Sequence, residues 1–128
     1  MILMSLNTLK IKEVSMGEKR RIDISKAVQV LEENYLDILK VYEWADAMGY
    51  SRAHFCRIFK KEFGINPKDK LKNFRLKLIK EEVKKSPEAI GYEIAVNAGL
   101  ADSKSLRKFL YTHFDKNLTA LKYELAVS

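Results

Sequence analysis

One supersecondary unit, used twice, constrains the fold of this chain more than any other feature of its sequence. Ala45-x-x-x-Gly49 returns as Ala95-x-x-x-Gly99. After one inserted residue, Phe55, Ile58, Phe59 and Phe63 return as Leu106, Phe109, Leu110 and Phe114, and Asn66 returns as Asn117. A helix, a tight turn near a glycine and a second helix set across the first make a helix-turn-helix. The small alanine admits the second helix closely, with Met48 and Ala98 covering the crossing, and the glycine supplies the backbone freedom the turn needs.

The rest of the chain accommodates two such units. From Ile24 the apolar period is helical: Ser25 is the expected cap of a helix burying Ala27, Val28, Leu31 and Tyr35. A short helix over about 38–48 ends at Gly49. Ser51 caps the next, which turns Phe55, Ile58, Phe59 and Phe63 inward and stops at Gly64. Asn66-Pro67 restarts a helix that runs to about Lys85 and buries Leu71, Phe74, Leu78, Ile79 and Val83; Ser86-Pro87 breaks it. A helix over 88–98 ends at Gly99, Asp102 or Ser103 caps one burying Leu106, Phe109, Leu110 and Phe114, and Asn117 caps a last one. The expected fold is all-α, about seven helices forming two tandem helix-turn-helix subdomains joined by a long helix. Its boundaries are a tail or short hairpin over 1–24, a first subdomain over 25–66, a linker helix over 67–86 and a second subdomain over 87–128.

Charge narrows the partner. The formal net charge of +7 attracts polyanions. The second helix of each unit carries this charge on the face its apolar residues leave free. In the first unit that face has Arg52, Ala53, Cys56, Arg57 and Lys60, with Ser51 at its start; in the second it has Ser103, Lys104, Arg107, Lys108 and Tyr111. Small or polar residues followed by arginine and lysine suit a helix entering a major groove, where arginine reads guanine and serine, lysine and backbone N–H groups hold phosphate. Between the units, residues 60 to 85 hold ten basic residues against four acidic ones. A linker helix about 28 Å long would place reading helices in successive turns of a duplex whose major groove returns after about 34 Å. A monomer then suffices for binding double-stranded DNA, the oligomeric state being left open.

Residues from about 26 to 126 resemble the DNA-binding domain of the AraC/XylS family of bacterial transcription regulators. "EWADAMGYSRAHFCRIFKKEFGINP" has the Ala-x-x-x-Gly-[aromatic]-Ser start, the Arg-x-Phe-Lys-Lys step and the Gly-x-x-Pro end of that family, and Phe74-Arg75-Leu76 resembles the arginine-centred part of its linker helix. "EIAVNAGLADSKSLRKFLYTHF" keeps the Glu-Ile-Ala-x-x-x-Gly-[apolar] pattern. The resemblance puts base-reading positions at Ala53, Cys56 and Arg57 in the first unit and at Ser103, Lys104, Arg107 and Lys108 in the second. It also implies an activator more than a repressor, with RNA polymerase as a further partner, while the single cysteine, Cys56, suits a reducing cytoplasm. The chain departs from the pattern at Asp115 (usually glycine), Leu118 (usually proline), Leu121-Lys122 (usually Tyr-Arg) and Lys70 (usually aromatic), and by an extra residue between Ile90 and Ile94.

Other chemistries find little support. His54 and His113 lack companions at metal-ligand spacing, so neither metal nor cofactor is expected. No phosphate loop, nucleophile motif or converging pair of acids is present, which argues against an enzyme. No apolar run approaches the ~20 residues of a membrane span. Two rivals stay open on the residues alone: a protein-interaction module docking an acidic partner, and a basic, non-specific nucleic-acid binder.

Overall fold

A computed structural model describes residues 21–127. Residues 1–20 of the expected tail or short hairpin lie outside them. Among the described residues seven α-helices follow one another: α1 (Ala27–Glu33), α2 (Val41–Met48), α3 (Arg52–Phe63), α4 (Pro67–Lys85), α5 (Gly91–Asn97), α6 (Ser103–Phe114) and α7 (Leu118–Val127). The all-α architecture with two helix-turn-helix pairs, α2–α3 and α5–α6, is the expected one. The chain divides into two compact units, one up to Lys70 and one from Leu71 on.

Unit 1 closes on aromatic rings. Trp44, Phe55 and Phe59 are fully buried, with ring centroids 5.3 Å apart for Trp44–Phe55, 5.0 Å for Trp44–Phe59 and 5.5 Å for Phe55–Phe59. The indole Nε1–H donates to the carbonyl of Ala27 at 3.0 Å, so the one polar atom of the tryptophan is satisfied while its ring supplies the core. Ala27, Val30, Leu31, Ile38, Ala45 and Met48 are buried in the same unit.

Two helix starts in unit 1 differ from the expected ones. Asp23, not Ser25, is the cap at the chain's entry: its carboxylate accepts from the Ser25 N–H at 2.9 Å, and a 3-10 turn over Ile24–Lys26 precedes α1. Helix α2 begins at Val41 because the Glu43 carboxylate reaches back to the N–H groups of Leu39 and Lys40 at 2.9 and 3.0 Å, which holds the chain extended through Lys40.

Unit 2 is built on α4. Ile79 and Val83 of that helix are buried with Ile94, Ala95, Ala98, Leu106, Leu110 and Leu121. Arg75 is 3% exposed, and its Nη1 donates to the Ala98 carbonyl at 3.0 Å, where α5 gives way to the turn. A buried guanidinium thus satisfies a carbonyl that the helix end leaves without an intrahelical partner. Helix α5 starts at Gly91, later than the sequence suggests, because the Ala89 N–H closes a turn onto the Ser86 carbonyl at 3.0 Å.

The repeat extends to individual backbone bonds. Gly49 and Gly99 sit at φ 87° and 88°. The N–H after each glycine donates five residues back, Tyr50 to Ala45 at 3.0 Å and Leu100 to Ala95 at 2.8 Å. The glycine N–H donates three back, to Asp46 and Val96, both at 3.0 Å. This is the same Schellman closure twice, and its left-handed residue is what a glycine supplies without a Cβ penalty.

The ends of α3 and α6 match in shape but not in residue. Gly64 has φ 75°; Asp115 has φ 54° and is, among the described residues, the one non-glycine at positive φ. A left-handed aspartate costs about 1 kcal/mol against glycine, and its carboxylate faces the negative end of the helix dipole. Asp115→Gly is therefore expected to raise the stability of unit 2 by ~0.5–1 kcal/mol. Urea unfolding followed by circular dichroism checks this, and a lower midpoint would contradict it.

Candidate nucleic-acid interface

Helices α3 and α6 are positioned by what they bury. In α3, Phe55 and Phe59 face the Trp44 cluster, and the Ser51 hydroxyl caps the helix by accepting from the His54 N–H at 3.2 Å. In α6, Leu106 and Leu110 face the core, and Asp102, the cap left open against Ser103, accepts from the Ser105 N–H at 2.8 Å. Bonds from the backbone and hydroxyl of Ser105 hold the Asp102 carboxyl below its ordinary pKa, with Lys104 and Arg107 adding to the effect. The cap is accordingly in place above the ordinary carboxylate range and is lost as pH falls through the depressed value.

With those contacts fixed, the opposite faces are basic. On α3, Arg52, Ala53, Arg57 and Lys60 are exposed, with Ser51 exposed at the cap. On α6, Lys104, Arg107 and Lys108 are exposed, as is Tyr111 at 71%. Cys56 and Ser103 depart from the sequence reading: both are half-buried at the margin of their face. Among the described residues, none of Arg52, Lys60, Lys104, Arg107 and Lys108 forms an ion pair with a carboxylate. Their charge is thus unpaired among the described residues.

The basic stretch of 60 to 85 is less uniform than its count suggests. Lys60, Lys61, Lys68, Lys77, Lys84 and Lys85 are exposed, whereas Lys70, Lys72 and Lys80 are half-buried. The Lys72 ammonium lies 5.9 Å from the centre of the Phe114 ring. Arg75 is turned wholly inward. Its inward place was legible, since Leu71, Arg75, Ile79 and Val83 recur at every fourth residue along one helix face.

Sequence reasoning also passed over the surroundings of Arg57. Its Nη2 donates to Nδ1 of His54 at 2.7 Å. The imidazole in turn lies against Tyr50, ring centroids 5.4 Å apart, and the Tyr50 hydroxyl donates to the Ile22 carbonyl at 2.9 Å. The spacing of three between His54 and Arg57 is the signal that could have found this pair. Among the described residues no group of His, Cys, Asp and Glu side chains could hold a metal ion, and no helix is long and apolar enough to cross a membrane.

A family model described as a helix-turn-helix domain matches residues 44–122, more than half of the chain. The match opens at Trp44 in α2 and closes at Lys122 in α7, so it takes in both helix-turn-helix pairs and the helix between them. No curated protein and no solved structure matches the chain.

Proposed function

The chain belongs to the AraC-type helix-turn-helix family, a family of DNA-binding regulators and not of enzymes, and we propose that it is a sequence-specific transcription regulator reading two successive major-groove segments of one duplex. One observation carries this reading. After turns that repeat bond for bond, α3 and α6 both present basic side chains without ion-pair partners. In this reading Arg57 and Arg107 read bases, with Ala53, Cys56, Ser103, Lys104 and Lys108 beside them. Ser51, Arg52 and Lys60 hold the flanking phosphates. Cys56 and Ser103 fit the margin of a groove contact, where a small side chain lets the backbone approach.

The length of α4 supports the bipartite site. Its 19 residues extend about 28 Å, near the ~34 Å repeat of the duplex. A monomer is then sufficient for binding, on an asymmetric site of about two helical turns. The regulator works in the cytoplasm as an activator, with RNA polymerase as its second partner, in keeping with the family.

Lys77, exposed on α4, gives the clean test of the phosphate contacts, because Lys72 also packs on Phe114. Lys77→Ala is expected to weaken binding to all duplexes alike and to lower the slope of log affinity against log salt by about one. Fluorescence anisotropy titrations over a salt series measure both quantities. A loss confined to one duplex sequence, with the slope unchanged, would contradict a phosphate role.

A further inference from the structure

The two reading helices are not equally equipped, and the difference lies beneath one arginine. In unit 1 a chain of contacts runs from the core to the tip of Arg57. Tyr50 is pinned by its hydroxyl to Ile22 and by its ring to Phe55, with 6.4 Å between centroids. His54 lies against Tyr50 at 5.4 Å and accepts from the Arg57 guanidinium at 2.7 Å. A guanidinium has no acceptor atom, so Nδ1 is the accepting nitrogen and the imidazole proton sits on Nε2. Among the described residues His54 takes one of the five guanidinium hydrogens, and the other four are open to the paired acceptors O6 and N7 of a guanine.

Unit 2 has none of this. At the corresponding places of the repeat it carries Leu100 for Tyr50, Ser105 for His54 and Lys108 for Arg57. Leucine offers no ring for stacking, and the Ser105 N–H and hydroxyl are engaged with Asp102. Lys108 is a flexible point charge without the planar fork of arginine. Arg107, the arginine of α6, makes no hydrogen bond among the described residues.

We infer that His54 is a positioning residue, holding Arg57 in the pose that reads guanine, and that unit 1 therefore discriminates bases more sharply than unit 2. Fixing the side chain before DNA arrives removes part of the rotamer entropy that a free arginine loses on binding. That gain falls on the one duplex whose acceptors meet the fixed fork, so it appears as discrimination and not as general affinity. The inference rests on the DNA-reading function proposed above.

The test uses the full chain, the duplex it selects best from a random library, and versions of that duplex carrying each single-base change. Arg57→Ala locates the base that Arg57 reads. His54→Ala is expected to lower discrimination at that base about fivefold, the net worth of one ordinary solvent-exposed hydrogen bond, with affinity for random duplex unchanged. His54→Ala added to Arg57→Ala is expected to cost nothing further.

Two substitutions separate the acceptor from the ring. In His54→Asn the amide oxygen takes the place of Nδ1, and discrimination returns; in His54→Phe the ring remains without an acceptor, and it does not. The base read by Arg107 should show the smaller discrimination in the unaltered chain. Unchanged discrimination in His54→Ala, rescue by Phe as complete as by Asn, or sharper reading at Arg107 would each overturn the inference while leaving DNA reading in place. An unaltered chain with no sequence preference would remove the function proposed above and this inference with it. Thermal unfolding of each variant separates these effects from a loss of fold.

Discussion

Trp44→Ala is expected to destabilise unit 1 by ~3–5 kcal/mol, the cost of emptying a large, fully buried aromatic site. The side chain is 0% exposed and touches both Phe55 and Phe59. Its removal takes away two ring contacts together with the indole bond to Ala27. The cavity would lie directly under α3, so the helix that presents Arg57 loses its support. A domain of ordinary size has only ~5–15 kcal/mol to lose, and unit 1 should then be partly unfolded near body temperature. Trp44→Phe keeps a ring in the site and should cost markedly less. Urea unfolding followed by far-ultraviolet circular dichroism measures both, and a Trp44→Ala loss below about 1 kcal/mol would mean that the cluster is not the core of this unit.

Arg57→Ala should produce the largest effect on binding without an effect on folding. Arg57 is exposed, and among the described residues its side chain bonds to His54 alone. Removing it should reduce affinity for the cognate duplex ~10–100-fold, the range of a lost bidentate guanine contact, and affinity for random duplex by only the few-fold worth of one cation. Arg107→Ala should act in the same direction and more weakly. Competition binding with labelled cognate and random duplexes reads the two losses side by side. Equal losses on both would place these arginines on phosphate and contradict their base-reading role.

Much of the fold was legible because it depends on local chemistry. Gly49 and Gly99 mark turns that only a left-handed residue closes, and both adopt that conformation. Asn66 and Asn117 announce helix starts, and each side-chain oxygen accepts from the N–H three residues on, at 2.9 and 2.7 Å. The aromatic spacing of α3 likewise identifies Phe55 and Phe59 as core. Side chains whose partners are distant in sequence were harder to place. Arg75 falls in register with the buried Leu71, Ile79 and Val83, but the group that satisfies its guanidinium, the Ala98 carbonyl 23 residues away, is not visible in the helix itself. Glu43 moves the start of α2 by reaching backwards, which apolar periodicity does not register.

The reading face was legible for a different reason. Burying one side of an amphipathic helix determines which residues remain outside. The chain's formal charge of +7 then says what such a face attracts. The margin of the face was not visible in the same way. Cys56 and Ser103 lie where the period alone cannot separate exposed from half-buried, and neighbouring helices decide the matter.

Whether two matched units read one duplex is decided by selection of bound sequences from a random duplex library at near-physiological salt. Two conserved blocks about ten base pairs apart are the predicted result, with the sharper block lost in Arg57→Ala. No enrichment of any sequence over the starting library would contradict it.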